Sequence, residues 1–94
     1  MQVFVRSILK LKEALGGDLP LEVPEGTDVG SLLALMREKR GEALSPHLFD
    51  PETHLPLSHV RIMVNGQTIQ FLKGMETMLS EGDEVLLLPL VAGG

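Results

Sequence analysis

Only one stretch of this chain, Val29, Leu32, Leu33 and Met36, repeats its apolar residues at helical spacing over about two turns; the other apolar runs alternate or are short. A single amphipathic helix has no second helix against which to bury its stripe, so its partner must be a sheet. Strands for such a sheet are present. Gln2 to Ile8 places Val3 and Val5 on one face and Phe4 and Arg6 on the other, and Asp18 to Val23 groups Leu19, Leu21 and Val23. His59 to Val64, Thr68 to Leu72 and Glu84 to Pro89 supply the rest. Pro20 has no N–H to give to a ladder, which puts its strand at an edge.

The punctuation between these segments agrees. Leu11-Lys12-Glu13-Ala14-Leu15 allows one or two helical turns before Gly16-Gly17 ends them. Pro24-Glu25-Gly26 is a turn, and Thr27 or Asp28 caps the helix that follows. That helix is predicted over Val29 to Arg40, with Arg37, Lys39 and Arg40 beside its negative end and Gly41 as a left-handed stop. From Glu42 to Ser58, Pro46, Pro51 and Pro56 fall five residues apart, which predicts a surface loop with room for a turn of helix around Leu44 to Phe49. Asn65-Gly66 is a strong hairpin signal, Lys73 to Leu79 a connection, and Ser80-Glu81-Gly82-Asp83 a turn into the last strand. The expectation is an α+β fold with one helix across a mixed sheet of four to five strands. Its expected core is Val3, Val5, Leu21, Val29, Leu32, Leu33, Met36, Ile62, Val64, Val85 and Leu87.

Composition narrows function by exclusion. With 94 residues, 8 Lys and Arg against 13 Asp and Glu, and a net charge of −5, the chain lacks the basic surface that grips phosphates, so no nucleic acid is expected. Phe4, Phe49 and Phe71, with no Trp or Tyr, make no base-stacking platform. The absence of cysteine excludes disulfides, thiolate metal sites and a cysteine nucleophile. The longest apolar run, Val85 to Ala92, contains Pro89 and is far short of the ~20 residues of a membrane span, so no membrane is expected either. Met1 to Arg6 lacks the basic and apolar regions of a secretory leader, and the expected location is the cytoplasm.

Residues with reactive side chains form no constellation. His47, His54 and His59 sit in or beside the proline-broken segment, without a carboxylate at ligand spacing, and solvated histidines are a better reading than a metal site. Ser45, Ser58 and Ser80 have no nucleophile-elbow context. No catalytic group of the chain's own is expected, and no bound cofactor or metal. The informative segment is the last one, where an apolar strand runs into Pro89-Leu90-Val91-Ala92-Gly93-Gly94 with side-chain size falling to nothing. A Gly-Gly end is often simply frayed. A backbone without Cβ atoms also fits a narrow channel and reaches a reactive centre closely, which would make the α-carboxylate of Gly94 the functional group.

Val64-Asn65-Gly66, Leu79-Ser80-Glu81-Gly82-Asp83-Glu84-Val85 and Pro89-Leu90-Val91-Ala92-Gly93-Gly94 resemble the C-terminal half of the ubiquitin-like sulfur carriers. That family includes the small subunit of molybdopterin synthase, the carriers of thiamine and cysteine synthesis, and the archaeal small modifiers. The likeness extends to Leu11-Lys12-Glu13-Ala14-Leu15-Gly16 and to the Pro24-Glu25-Gly26 turn. Two departures are visible: Pro89-Leu90 stands where the family usually has Pro-Pro, and Glu42 to Ser58 is longer than in the shortest members.

The resemblance implies a β-grasp domain over residues 1–89 with its first and last strands parallel neighbours, followed by a flexible tail, 90–94. It also implies a role. A ubiquitin-activating-type adenylyltransferase, holding ATP and magnesium, would adenylate Gly94. A sulfur donor would convert it to a thiocarboxylate, and a sulfur-accepting enzyme such as the molybdopterin synthase large subunit would take the sulfur. The alternatives are a protein modifier joined to lysines through Gly94 and a non-covalent ubiquitin-like binding module. Alternation aims Phe4, Leu86 and Leu88 away from the helix, where they form either scattered surface hydrophobes, a homodimer contact or a partner-binding patch. The resemblance favours the last.

Overall fold

The computed structural model describes residues 1–8, 12–13, 16–50, 52–53 and 59–89, and for 40–47 the backbone alone. In chain order the elements are β1 (Gln2–Ser7), β2 (Leu19–Glu22), α1 (Val29–Leu48), β3 (Val60–Val64), β4 (Gln67–Thr68), 3-10 turns at Ile69–Phe71 and Gly74–Glu76, and β5 (Glu84–Pro89). The strands form one mixed sheet in the order β2-β1-β5-β3-β4. β1 and β5 are parallel neighbours with Val5 opposite Val85, and every other pairing is antiparallel. This is the β-grasp arrangement.

β1 and β5 alternate as their sequences predict: Val3, Val5, Val85 and Leu87 are buried, whereas Phe4, Arg6 and Glu84 are exposed. β2 lies at the edge. Its Pro20 sits opposite Phe4, between Leu21 opposite Val3 and Leu19 opposite Val5. Met1 and Val23 exchange both backbone hydrogen bonds, so the bonded pairs fall on odd-numbered residues, and Pro20 occupies a position whose N–H would face outward. Proline removes the donor an added strand would use.

The start of α1 is fastened twice. Asp28 Oδ1 accepts the N–H of Ser31 at 2.8 Å, a side-chain cap, and Val29 donates its N–H to the Thr77 carbonyl at 3.0 Å. Val29, Leu32, Leu33 and Met36 then point into the core as predicted.

The helix does not stop at Gly41. It continues through Gly41 and Pro46 to Leu48, so the first part of the expected 42–58 loop is helical. A glycine inside a helix costs only about 1 kcal/mol against alanine, and Pro46 lies in the final turn, with only His47 and Leu48 of the helix beyond it. What holds the extension is at its far end: Leu48 is 0% and Phe49 2% exposed, and burying two such side chains contributes about 1.5–3 kcal/mol each. Arg37 covers the Phe49 ring, its guanidinium carbon 6.0 Å from the centroid. Pro51, Pro56 and His54 lie outside the described residues, as do most of the Leu11 to Leu15 segment, of which Lys12 and Glu13 are helical.

The hairpin forms at Asn65-Gly66, both at positive φ (50° and 85°), as a two-residue turn requires. Its return strand is shorter than Thr68 to Leu72. Two residues pair, and the chain then tightens into a 3-10 turn that buries Ile69 and leaves Phe71 87% exposed. Strand alternation would have placed those two side chains on one face. The core contains the expected residues except Leu21, which is half-buried against it, and adds Val23, Leu48, Phe49, Val60, Ile69 and Leu79.

Candidate functional site: the last strand and the open sheet face

β5 is the middle strand of the five. Its entry is set by the Ser80 to Asp83 turn, where Asp83 Oδ2 accepts the Ser80 N–H at 2.8 Å and the Ser80 carbonyl accepts the Asp83 N–H at 3.0 Å. Gly82 takes φ 83° there and donates its N–H to the Gln2 carbonyl at 2.7 Å, and Phe4 donates to the Asp83 carbonyl at 2.9 Å. Thus the turn is sewn to β1 before β5 begins. Leu90, Val91, Ala92, Gly93 and Gly94, the expected tail, lie outside the described residues, and the last one described is Pro89.

α1 covers one face of the sheet, and Phe4, Leu86 and Leu88 lie on the other. Phe4 is 40% exposed; Leu86 and Leu88 are half-buried. They do not form a compact trio. Phe4 is in a row with Pro20 and Glu84, while the next row holds Arg6, Leu86 and Met63. Leu88 lies opposite Arg61. The apolar strip is therefore Leu86, Leu88 and half-buried Met63, with exposed Ile8 at the end of β1 and Phe4 one row away. Met63 was legible in the alternation of β3, since it falls on the opposite face from Ile62 and Val64.

Two cations border the strip. Arg6 is held between carboxylates, its Nε 3.5 Å from Asp18 and its Nη1 3.2 Å from Glu84. The hydrogen bond to Glu84, then the charge of Asp18, raises its pKa and keeps it charged. Arg61 has no ion-pair partner among the described residues.

Elsewhere the chemistry is sparse. No group of three His, Cys, Asp or Glu able to hold a metal occurs among the described residues; His59 is exposed, and the side chains of His47 and His54 are not described. A wide groove of about 520 Å³ beside α1, lined by Glu25, Thr27, Ser31, Leu35 and Glu38 among others, includes no residue of β5. Among the described residues no helix is long and apolar enough to cross a membrane.

The model of the ThiS family matches residues 8–94, nearly the whole chain, Gly-Gly end included. The chain belongs to the ThiS family. Relatives of this ThiS-family chain carry several roles. It is 32% identical over 95 residues to the sulfur carrier protein CysO of Mycobacterium tuberculosis, covering all of both chains. It is 38% identical over 74 residues to the molybdopterin synthase sulfur carrier subunit of the same organism, covering 79% of this chain and 72% of that one. Among solved structures, small archaeal modifier protein 1 of Methanosarcina acetivorans superposes with a TM-score of 0.82 at 32% identity, over 99% of this chain and 96% of the other.

Proposed function

We propose that this chain is a sulfur carrier whose Gly94 carboxyl is the group acted upon and whose catalytic groups belong to its partners. The observation that carries the reading is the family match running through residue 94, on a fold whose central strand leads into Leu90-Val91-Ala92-Gly93-Gly94. A carboxylate is a poor electrophile. Attack of its oxygen on the α-phosphorus of ATP, with pyrophosphate leaving, gives an acyl adenylate; a ubiquitin-activating-type adenylyltransferase would supply ATP and magnesium. A sulfur nucleophile such as a persulfide then attacks the carbonyl and AMP leaves. Reductive release of the donor by a second thiol leaves the thiocarboxylate. A carrier without cysteine has no thiol of its own to form disulfides with its cargo.

The acceptor we propose is a molybdopterin synthase large subunit in the cytoplasm, supported by the 38% identity to that enzyme's carrier subunit. The full-length match to CysO supports cysteine synthesis as the second acceptor, and the likeness to an archaeal modifier supports transfer of the same activated Gly94 to a lysine amine. The open-face strip, Leu86 and Leu88 with Phe4 and Met63, would seat the adenylyltransferase. Intact mass analysis of the chain isolated from its own cells tests the reading. Oxygen replaced by sulfur at the terminus supports it, whereas only lysine adducts ending in Gly94 would make the chain a modifier. Feeding the thiocarboxylate form to each candidate acceptor decides between pathways.

A further inference from the structure

Asn65-Gly66 is more than a turn signal. In this dipeptide the asparagine amide is open to attack by the following backbone nitrogen, because glycine has no Cβ to shield it, and asparagine is among the thermolabile residues for this reason. Here the amide is held on both sides. Its Nδ2 donates to Asp83 Oδ1 at 2.9 Å, and its Oδ1 accepts the backbone N–H of Glu84 at 2.9 Å. The Asn65 N–H also donates to the Glu84 carbonyl at 2.9 Å. Asp83 itself is fixed by the Ser80 N–H on its other oxygen. These contacts tie the side-chain amide to the 83–84 backbone and carboxylate, so attack by the Gly66 nitrogen competes with them.

We propose that Asn65 is a deamidation site latched by Asp83 and Glu84, and that its conversion uncouples the hairpin from β5. The Gly66 nitrogen bonds to Asn65 Cγ, the bond from Cγ to Nδ2 breaks, and ammonia leaves with the proton from Gly66. Water then opens the cyclic imide at either carbonyl, giving aspartate or isoaspartate at position 65. The aspartate places a second carboxylate against Asp83 where a donor stood, and the two repel. The isoaspartate adds a carbon to the backbone of a two-residue turn and breaks the register in which Val64 faces Gln67. Either product also loses the amide that bridges Asp83 to Glu84.

The test is incubation of the full chain at mildly alkaline pH, followed by peptide mass mapping and isoaspartate labelling. The folded parent should remain almost unmodified while the same chain in urea is converted. Asp83→Ala should react about tenfold faster than the folded parent, the change in local opening expected on losing a hydrogen bond to a charged acceptor. Should Asp83→Ala fail to fold, Asp83→Asn, which keeps the shape and weakens the acceptor, should show a smaller acceleration. Val5→Ala, which weakens the core away from the turn, should not accelerate it comparably. Equal rates in folded and urea-treated parent, or an Asp83 variant no faster than parent, overturns the latch. Acceleration by Val5→Ala matching that of Asp83→Ala does so too, because global unfolding would then set the rate. Asn65→Asp should melt below the parent, and an unchanged melting temperature overturns the uncoupling.

Discussion

The hydroxyl of Ser7, the last residue of β1, donates to the backbone carbonyl of Leu87 in β5, joining residues 80 positions apart in the chain. Both are buried, and the contact lies two residues before the end of the last strand. Ser7→Ala deletes the donor without opening a large cavity. Its expected cost is about 1 kcal/mol, the usual net worth of such a bond, read as a lower denaturant midpoint with an unchanged slope.

Asp28 gives a pH-dependent prediction. Its carboxyl is held below its ordinary value of 3.8, first by the Ser31 backbone N–H and then by the Ser31 hydroxyl. A carboxyl whose folded pKa is depressed contributes stability above its unfolded value, and that contribution disappears as pH falls through the folded value. Asp28→Ala should cost about 1 kcal/mol at neutral pH as a lost cap. The difference from the parent should shrink below the ordinary carboxylate pKa, measured by urea melts across the acid range.

Leu48→Ala tests the length of α1. In a surface loop it would be close to neutral, but at 0% exposure it should destabilise by about 2–5 kcal/mol. Thermal melting distinguishes the two outcomes.

Leu88→Glu should separate binding from folding. Leu88 is half-buried on the open face opposite Arg61, which offers the new carboxylate a cross-strand partner, so melting should stay close to parent. Affinity for the adenylyltransferase should fall about tenfold or more, because a charge would enter a dry contact. Leu87→Ala, one residue earlier and fully buried, should do the reverse. Equal binding by Leu88→Glu, measured by calorimetry, would place the partner on another face.

Deleting Gly94 should abolish adenylation and sulfur loading with no change in melting temperature. The new terminus falls ~3.5 Å short of the reactive centre, a large error where atoms must be held near contact. ATP–pyrophosphate exchange with the partner enzyme reads the first step directly.

These expectations differ in how they could be known. β1 and β5 were legible because alternation is local and both faces are distinct: Val3, Val5, Val85 and Leu87 against Phe4, Arg6 and Glu84. The parallel pairing of the two is a contact across some 80 residues, and no local pattern encodes it; the family resemblance supplied it. Gly41 and Pro46 are strong local breakers, yet Leu48 and Phe49 outweigh them through burial that only the folded chain reveals. The short β4 escaped for a similar reason, since the inward turn of Ile69 depends on what it packs against. At the candidate site, Phe4, Leu86 and Leu88 fell on the predicted face, but their rows with Glu84, Met63 and Arg61 needed the register.

The strand order has a mechanical meaning. β5 runs between a parallel and an antiparallel neighbour, so a pull applied beyond Pro89 does not peel off an edge one bond at a time. The parallel bonds to β1 share the load in shear along the strand, with Ser7 at the loaded end. A partner that grips the chain past Pro89 would therefore work against the whole length of the β1–β5 ladder rather than against a single edge bond.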